Sequence, residues 1–421
     1  MKKIVLSLLT ATLLMGSSTL LAQQGNEQIV VPNRKNDREQ QQKPYLILIS
    51  ADGFRHDYIE KHGAHFLGDV SKKGVRAQAL IPSFPSVTFP NHYTIVTGLY
   101  PSHHGLVGNN IYDPKIEERY SLRNAKAVLD PAWYGGTPIW ALAEQQQLMT
   151  ACYYWPGSEA AIQGILPSYY YPYSEKIKID DRIAEVVKWL SLPEETRPHL
   201  ITFYFPEVDH AGHTYGPDAV ETKAAVAYID ESIKKLVQAV SKTELPVNYM
   251  FVADHGMTNI DQNQLLSLPI KINPEELTVV SGGVYMSVFV KDQTKIKQVY
   301  QEILAAKAPQ YQVYLKSAVP EKYHFGAKDD YFGRIGDIVL IADSPYYFSN
   351  QKASPGAHGY DPYQYPDMKA TFLAWGPQIK ENTFVKEFEN IHIYPVMTKL
   401  LDLTNTNKID GDDRMVKEIL K

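Results

Sequence analysis

Six uninterrupted apolar runs, each about a strand long, constrain the fold of this chain more than any other feature. They lie at residues 45–50, 149–154, 200–205, 249–253, 338–342 and 371–375. A run without polar alternation suits a strand covered on both faces, as in a parallel sheet. Between the runs lie helical patterns at 138–148, 179–190, 218–240 and 391–403. Strands alternating with helices predict an α/β fold, with a mostly parallel sheet and helices on both faces. The stretch from about 259 to 351 reads differently: strands are expected at 279–291 and 311–315 around a helix at 294–306. It is taken as a smaller α/β insertion ahead of the final strand.

Three of the runs end in polar segments: Ser50-Ala51-Asp52-Gly53, Phe205-Pro206-Glu207-Val208-Asp209 and Ala253-Asp254-His255-Gly256. Ligands of open α/β sheets bind beyond the carboxyl ends of the strands, so these acids and imidazoles are expected at one edge. Asp209-His210-Ala211-Gly212-His213 continues the second segment, and Gly356-Ala357-His358-Gly359-Tyr360 precedes the last run. Carboxylate and imidazole donors without thiolate suit zinc and tolerate manganese or iron. A single Asp-His pair would say little, since such a pair also serves as an ordinary loop residue. Four such segments converging on one edge favour a metal centre.

A proline-rich loop, Pro82-Ser83-Phe84-Pro85-Ser86-Val87-Thr88-Phe89-Pro90, leads into a helix expected at 91–99. A hydroxyl there meets unpaired N–H groups and the positive end of the helix dipole. Thr88 or Ser86 could simply cap the helix. Alternatively, a phosphate could dock there, with Thr88 activated beside a metal ion.

The bulk numbers restrict the partners. A net charge of -5 over 421 residues argues against a general grip on polynucleotide backbones. Met1-Lys2-Lys3, an apolar stretch at 4–15 and small residues before Ala22 read as a signal peptide over 1–22, and hence an exported, periplasmic or secreted protein. The stretch is shorter than the roughly 20 apolar residues a membrane span needs, and no later segment has that character. Residues 23–43 are polar and aperiodic and read as a flexible tether, leaving 44–421 as the catalytic domain. The one cysteine, Cys152, leaves no internal disulfide to form.

Taken together, the motifs resemble the nucleotide pyrophosphatase/phosphodiesterase family of the alkaline phosphatase superfamily. The matching pieces are Asp52-Gly53, Thr88-Phe89-Pro90-Asn91-His92, Gly98-Leu99-Tyr100-Pro101-Ser102-His103-His104-Gly105 and Gly108-Asn109-Asn110. Tyr154-Trp155-Pro156-Gly157, Asp209 to His213, Asp254-His255-Gly256-Met257 and His358-Gly359-Tyr360 follow in the family's order. The resemblance implies an alkaline-phosphatase-like fold and two zinc ions per chain. Asp209, His213 and His358 would hold one ion; Asp52, Asp254 and His255 would hold the other, with Thr88 touching the second. Only the family pattern, not spacing, prefers His213 to His210. Thr88 would be the nucleophile and Asn109 a donor to a nonbridging phosphate oxygen. Phe89 and a tyrosine from the later cluster, Tyr171 or Tyr173, would sandwich a nucleotide base. The cysteine-rich and nuclease-like extra domains of animal members are absent from this sequence.

These implications predict a phosphodiesterase or nucleotide pyrophosphatase that releases nucleoside 5′-monophosphate through a covalent threonine intermediate. Its substrate would be a small nucleotide or phosphodiester. Other readings stay open: a choline-lipid phosphodiesterase, a phosphomonoesterase of the same superfamily, or a non-catalytic surface protein binding glycan or nucleotide. Neutral Asn109, with no arginine from Pro82 through Asn110, favours diesters over monoesters. The lack of a C/S-x-P-x-R motif disfavours a sulfatase.

Overall fold

The computed structural model describes residues 26–421. The expected signal peptide at 1–22 and the first residues of the expected tether lie outside the described residues. The main sheet has nine strands, in the order Ile29–Val30, Tyr169–Tyr171, Thr150–Tyr153, Leu200–Phe205, Tyr45–Ala51, Val247–Val252, Phe372–Trp375, Val75–Ala77 and Thr383–Val385. From Tyr169–Tyr171 through Val247–Val252 every pairing is parallel. All seven residues of the central strand, Tyr45–Ala51, are buried, as continuous apolarity predicts for a strand with neighbours on both edges and helices over both faces. One helix group brings Ile179–Leu190, Glu207–Tyr215 and His65–Lys73 against the long helix Val220–Ser241. A second group joins Thr88–Thr97, Ile139–Gln145 and Ile393–Leu400.

Several details depart from the sequence reading. Phe372–Trp375 runs antiparallel to Val247–Val252, because an apolar run reports burial and carries no direction. Ile338–Ala342 does not join the main sheet. It lies inside a second sheet of four antiparallel strands, Leu277–Ser281, Tyr285–Val290, Ile338–Ala342 and Tyr311–Leu315, with helix Ile296–Ala306 against its edge. The run expected as one strand at 279–291 is a hairpin, broken at Gly282-Gly283, where Gly283 adopts φ +82°. The helix expected at 91–99 spans Thr88–Thr97 instead. Pro90 is tolerated in its first turn because that N–H would have no helical partner in any case.

The expected tether at 23–43 is also corrected over its described part. Ile29–Val30 pairs with Tyr169–Tyr171. Asn36 is buried, and its Nδ2 donates to the carbonyls of Glu194 and Arg197 at 2.8 and 2.7 Å. Its Oδ1 accepts from the Met149 N–H at 2.7 Å. Polar composition suggested a solvated segment, yet one side chain with three backbone partners fixes it to the sheet. Asn36→Ala strands those groups, so unfolding stability should fall by about 2–4 kcal/mol. Chemical denaturation with an unchanged slope should show that loss; a midpoint equal to wild type would contradict this anchoring role.

Candidate active site

Three adjacent parallel strands deliver the acids to one edge. Tyr45–Ala51 runs into Asp52, Val247–Val252 into Asp254-His255, and Leu200–Phe205 into the short helix Glu207–Tyr215. Asp209 and His213 therefore lie on a helix rather than in the expected loop, and their i,i+4 spacing puts them on one face. His213 Nε2 is 3.4 Å from Asp209 Oδ1, while neighbouring His210 is exposed to solvent. The close approach of the first and second segments requires Gly53. Its φ is +69°, and a Cβ there would lie 3.0 Å from the Asp209 Cα.

Two donor clusters result. In the deeper one, His255 Nε2 lies 3.3 Å from Asp52 Oδ1 and 3.0 Å from Asp254 Oδ2, and all three residues are buried. In the outer one, His213 Nε2 and His358 Nε2 face each other at 3.0 Å, with His358 Nε2 3.5 Å from Asp209 Oδ1. The His255 and His358 rings stack at 3.5 Å, so the clusters are contiguous. The ligand atoms of Asp52, Asp254 and His255 lie within 4.8 Å of one another, as do those of Asp209, His255 and His358.

The chemistry of this donor set fits divalent cations. Each imidazole sets its Nδ1 against a backbone carbonyl: His213 on Gly356 at 2.8 Å, His255 on Gly256 at 2.9 Å and His358 on Ser86 at 2.9 Å. A carbonyl can only accept, so the proton belongs on Nδ1 and the Nε2 lone pairs point into the site. There they meet Asp52 Oδ1, Asp209 Oδ1 and Asp254 Oδ2, buried oxygens with no hydrogen-bond partner among the described residues. Converging lone pairs and negative charges need a positive counterpart. The titration behaviour carries the same strain. Burial, with the charges of Asp254 and Asp209 alongside, pushes the Asp52 carboxyl well above the usual range. Burial would also raise Asp254, but the His255 and His92 imidazoles hold it well below. Burial beside His255 and His213 depresses His358.

Thr88 occupies the first helical position, with its Oγ1 3.3 Å from His255 Nε2. It does not cap the helix: Val87 holds the cap position and no side chain serves there. Ser86, the other capping candidate, donates its hydroxyl to the Tyr360 carbonyl at 2.8 Å. The Asn109 Oδ1 accepts the Phe89 N–H at 2.9 Å, which fixes the amide beside Thr88 and leaves Nδ2 for donation. Phe89 is partly buried, edge-on to Tyr120 at 6.1 Å. The two expected tyrosines separate. Tyr173 is 44% exposed and 6.1 Å from the Tyr204 ring, next to Asp52's support. Tyr171 is not brought to this wall: it is buried in the sheet, stacked on Tyr153 at 4.5 Å and close to Trp189.

Two supporting side chains were given no role by the sequence reading. The Tyr204 hydroxyl donates to Asp52 Oδ2 at 2.6 Å. His92 places Nδ1 3.0 Å from the Thr88 carbonyl and 3.2 Å from Asp254 Oδ2, with Nε2 2.8 Å from Ser50 Oγ. His92 follows Thr88 by four residues on one helix face, a spacing that could have revealed it. Tyr204 lies inside an apolar strand, where nothing in the sequence distinguishes it from packing.

Residues 46–361 match the family described as type I phosphodiesterase / nucleotide pyrophosphatase. Venom phosphodiesterase 2 of Crotalus adamanteus is 35% identical over 376 residues, covering 85% of this chain and 45% of the relative. Ectonucleotide pyrophosphatase/phosphodiesterase family member 3 of Bos taurus is 34% identical, covering 86% and 42%. The chain thus spans less than half the length of these curated relatives. Among solved structures, murine ectonucleotide pyrophosphatase / phosphodiesterase 5 superposes with a TM-score of 0.83 at 29% identity, over 90% of this chain and all of that one. An inactive threonine-to-alanine form of the murine protein, in complex with AMP, matches at the same TM-score and 28% identity.

Tyr204 orients a carboxylate that itself faces the donor cluster. Removing such a support typically weakens metal affinity by about 10–100-fold. Tyr204→Phe should therefore lose bound metal to a competing chelator at correspondingly lower chelator concentration, with the fold intact. Wild-type affinity in that titration would show that the hydroxyl only fills space.

Proposed function

The chain belongs to the type I phosphodiesterase / nucleotide pyrophosphatase family, and on that premise we propose that it hydrolyses phosphodiester or pyrophosphate bonds of small nucleotides with Thr88 as nucleophile. The observation that carries this reading is the placement of Thr88 Oγ1. It caps no helix end, stands at a helix N-terminus, and is within hydrogen-bond distance, 3.3 Å, of His255 Nε2 in the deeper donor cluster. The inactivity of the murine protein's threonine-to-alanine form, matched over most of this chain, supports the same assignment.

Asp52, Asp254 and His255 would hold one zinc ion, with Thr88 beside it, and Asp209, His213 and His358 a second. Bound there, the ions supply positive charge that lowers the pKa of the Thr88 hydroxyl and neutralises the phosphate oxygens. Thr88 Oγ1, its proton released to solvent, attacks phosphorus in line; the Oγ1–P bond forms as the bond to the leaving oxygen breaks. The dipole of helix Thr88–Thr97 favours the incoming negative charge at its N-terminus. Asn109, held by the Phe89 N–H, directs Nδ2 to a nonbridging oxygen. Water then displaces Thr88 in a second step, so configuration at phosphorus is retained overall. Phe89 and Tyr173 are the rings we assign to the base, and nucleoside 5′-monophosphate is the product; the AMP held by the murine form supports a nucleotide of this type. Export is part of the proposal, with a mature start near Gln23. The venom and ectoenzyme names of the relatives support it.

Thr88→Ala tests the nucleophile. Turnover of a chromogenic bis-aryl phosphate should vanish while the variant retains about two zinc ions per chain, since carboxylate and imidazole supply the coordination. Persistent turnover would move the nucleophile elsewhere. For the base site, Phe89→Ala should raise KM for a dinucleotide by about 5–150-fold, the equivalent of 1–3 kcal/mol of stacking, and leave a small bis-aryl diester nearly unaffected. Equal losses on both substrates, or cleavage of choline-bearing lipids alone, would overturn the nucleotide assignment while sparing the phosphodiesterase chemistry.

A further inference from the structure

We propose that the inserted four-stranded sheet sets the position of the phosphate donor Asn109, and that Tyr285 is the positioning residue through which it acts. This rests on the reading of Asn109 as a donor in the preceding section. Asn109 sits at the end of a loop, Gly105-Leu106-Val107-Gly108-Asn109, that belongs to no strand or helix of the main sheet. Loop residues hold catalytic geometry only where a rigid neighbour fixes them.

That neighbour is the insertion. Tyr285 begins strand Tyr285–Val290, directly after the Gly282-Gly283 turn, and is 2% exposed. Its hydroxyl donates to the Val107 carbonyl at 3.2 Å, two residues before Asn109. The contact is so close that a Cβ on Gly108 would lie 2.0 Å from the Tyr285 oxygen. The same turn presses on two other catalytic loops. The Tyr285 ring lies edge-on to Phe84 of the nucleophile loop at 6.3 Å, and a Cβ on Gly359, beside His358, would lie 2.4 Å from Val284 Cγ2. Arg334, from the same insertion, holds the loop's start: it donates to the Gly105 carbonyl at 3.0 Å and to Asp113 Oδ2 at 2.9 Å. Asn109 is thereby fixed from two sides, by the Phe89 N–H on its side-chain oxygen and by the insertion on its backbone. A small displacement of the loop lengthens the Nδ2 bond to phosphate without disturbing a metal ligand.

Tyr285→Phe keeps the ring and removes the one hydroxyl. On a bis-aryl phosphate it should lower kcat on the order of tenfold, in keeping with the cost of slight misplacement of a catalytic group, with KM and zinc content unchanged. Asn109→Ala should lower kcat by about 10²-fold. The double variant should be no slower than Asn109→Ala alone, because Tyr285 acts only through Asn109. Multiplying losses, or a wild-type kcat for Tyr285→Phe, would overturn the positioning role. A wild-type kcat for Asn109→Ala would instead remove the donor reading on which it rests.

Discussion

Three carboxylates gathered at one sheet edge are the constraint on which the rest of the molecule depends. Asp52, Asp209 and Asp254 each leave a buried oxygen without a hydrogen-bond partner among the described residues. Such an arrangement is unfavourable by several kcal/mol per uncompensated charge, and it persists only because rigid elements impose it. Asp52 and Asp254 follow neighbouring strands locked in register from Tyr45–Val247 to Ser50–Val252. Asp209 follows the strand on the other side, held from Leu46–Leu200 to Ala51–Phe205. Sheet pairing thus supplies the free energy that holds like charges together, and a bound cation would recover it.

Thr88 and His358 are supplied by segments outside the main sheet, and these segments are tied to one another. Asn91, fully buried, donates Nδ2 toward the carbonyls of Ser83, Pro85 and Val87, and accepts on Oδ1 from the Ser83 N–H and Asn390 Nδ2. This shapes the turn that presents Thr88. The carbonyl of Ser86 in the same turn orients His358. Thr88 and His358 are therefore set by one backbone segment, so a shift in either is felt by both.

What was legible in the sequence followed from what composition encodes. Continuous apolarity marked the buried strands of the main sheet, and polar residues at their ends marked the edge where Asp52, Asp209 and Asp254 meet. Direction and partnership were not encoded: Phe372–Trp375 is as apolar as its neighbours yet antiparallel, and Ile338–Ala342 serves a different sheet. Local polarity misled at residues 26–43, where a few backbone contacts around Asn36 outweigh solvation. Adjacent members of a motif also needed coordinates. His210 and His213 are equivalent on paper until the helix turns one outward, and Tyr171 and Tyr173 part because successive positions beyond a strand face different surroundings.

The two donor clusters are chemically alike, but their exposure is not. Asp52, Asp254 and His255 are sealed, whereas the side chains of Asp209 and His213 are 19% and 37% exposed. Under the proposed reaction this gradient has a consequence. The sealed cluster lies against Thr88, where water would compete with the hydroxyl for phosphorus during the first displacement. The open cluster lies where water must arrive for the second. Under that reaction, exposure would be lower around Thr88 than around the outer cluster. The asymmetry arises from the fold itself: Asp52 and Asp254 follow strands inside the sheet, whereas Asp209 and His213 ride on a short helix with one face to solvent.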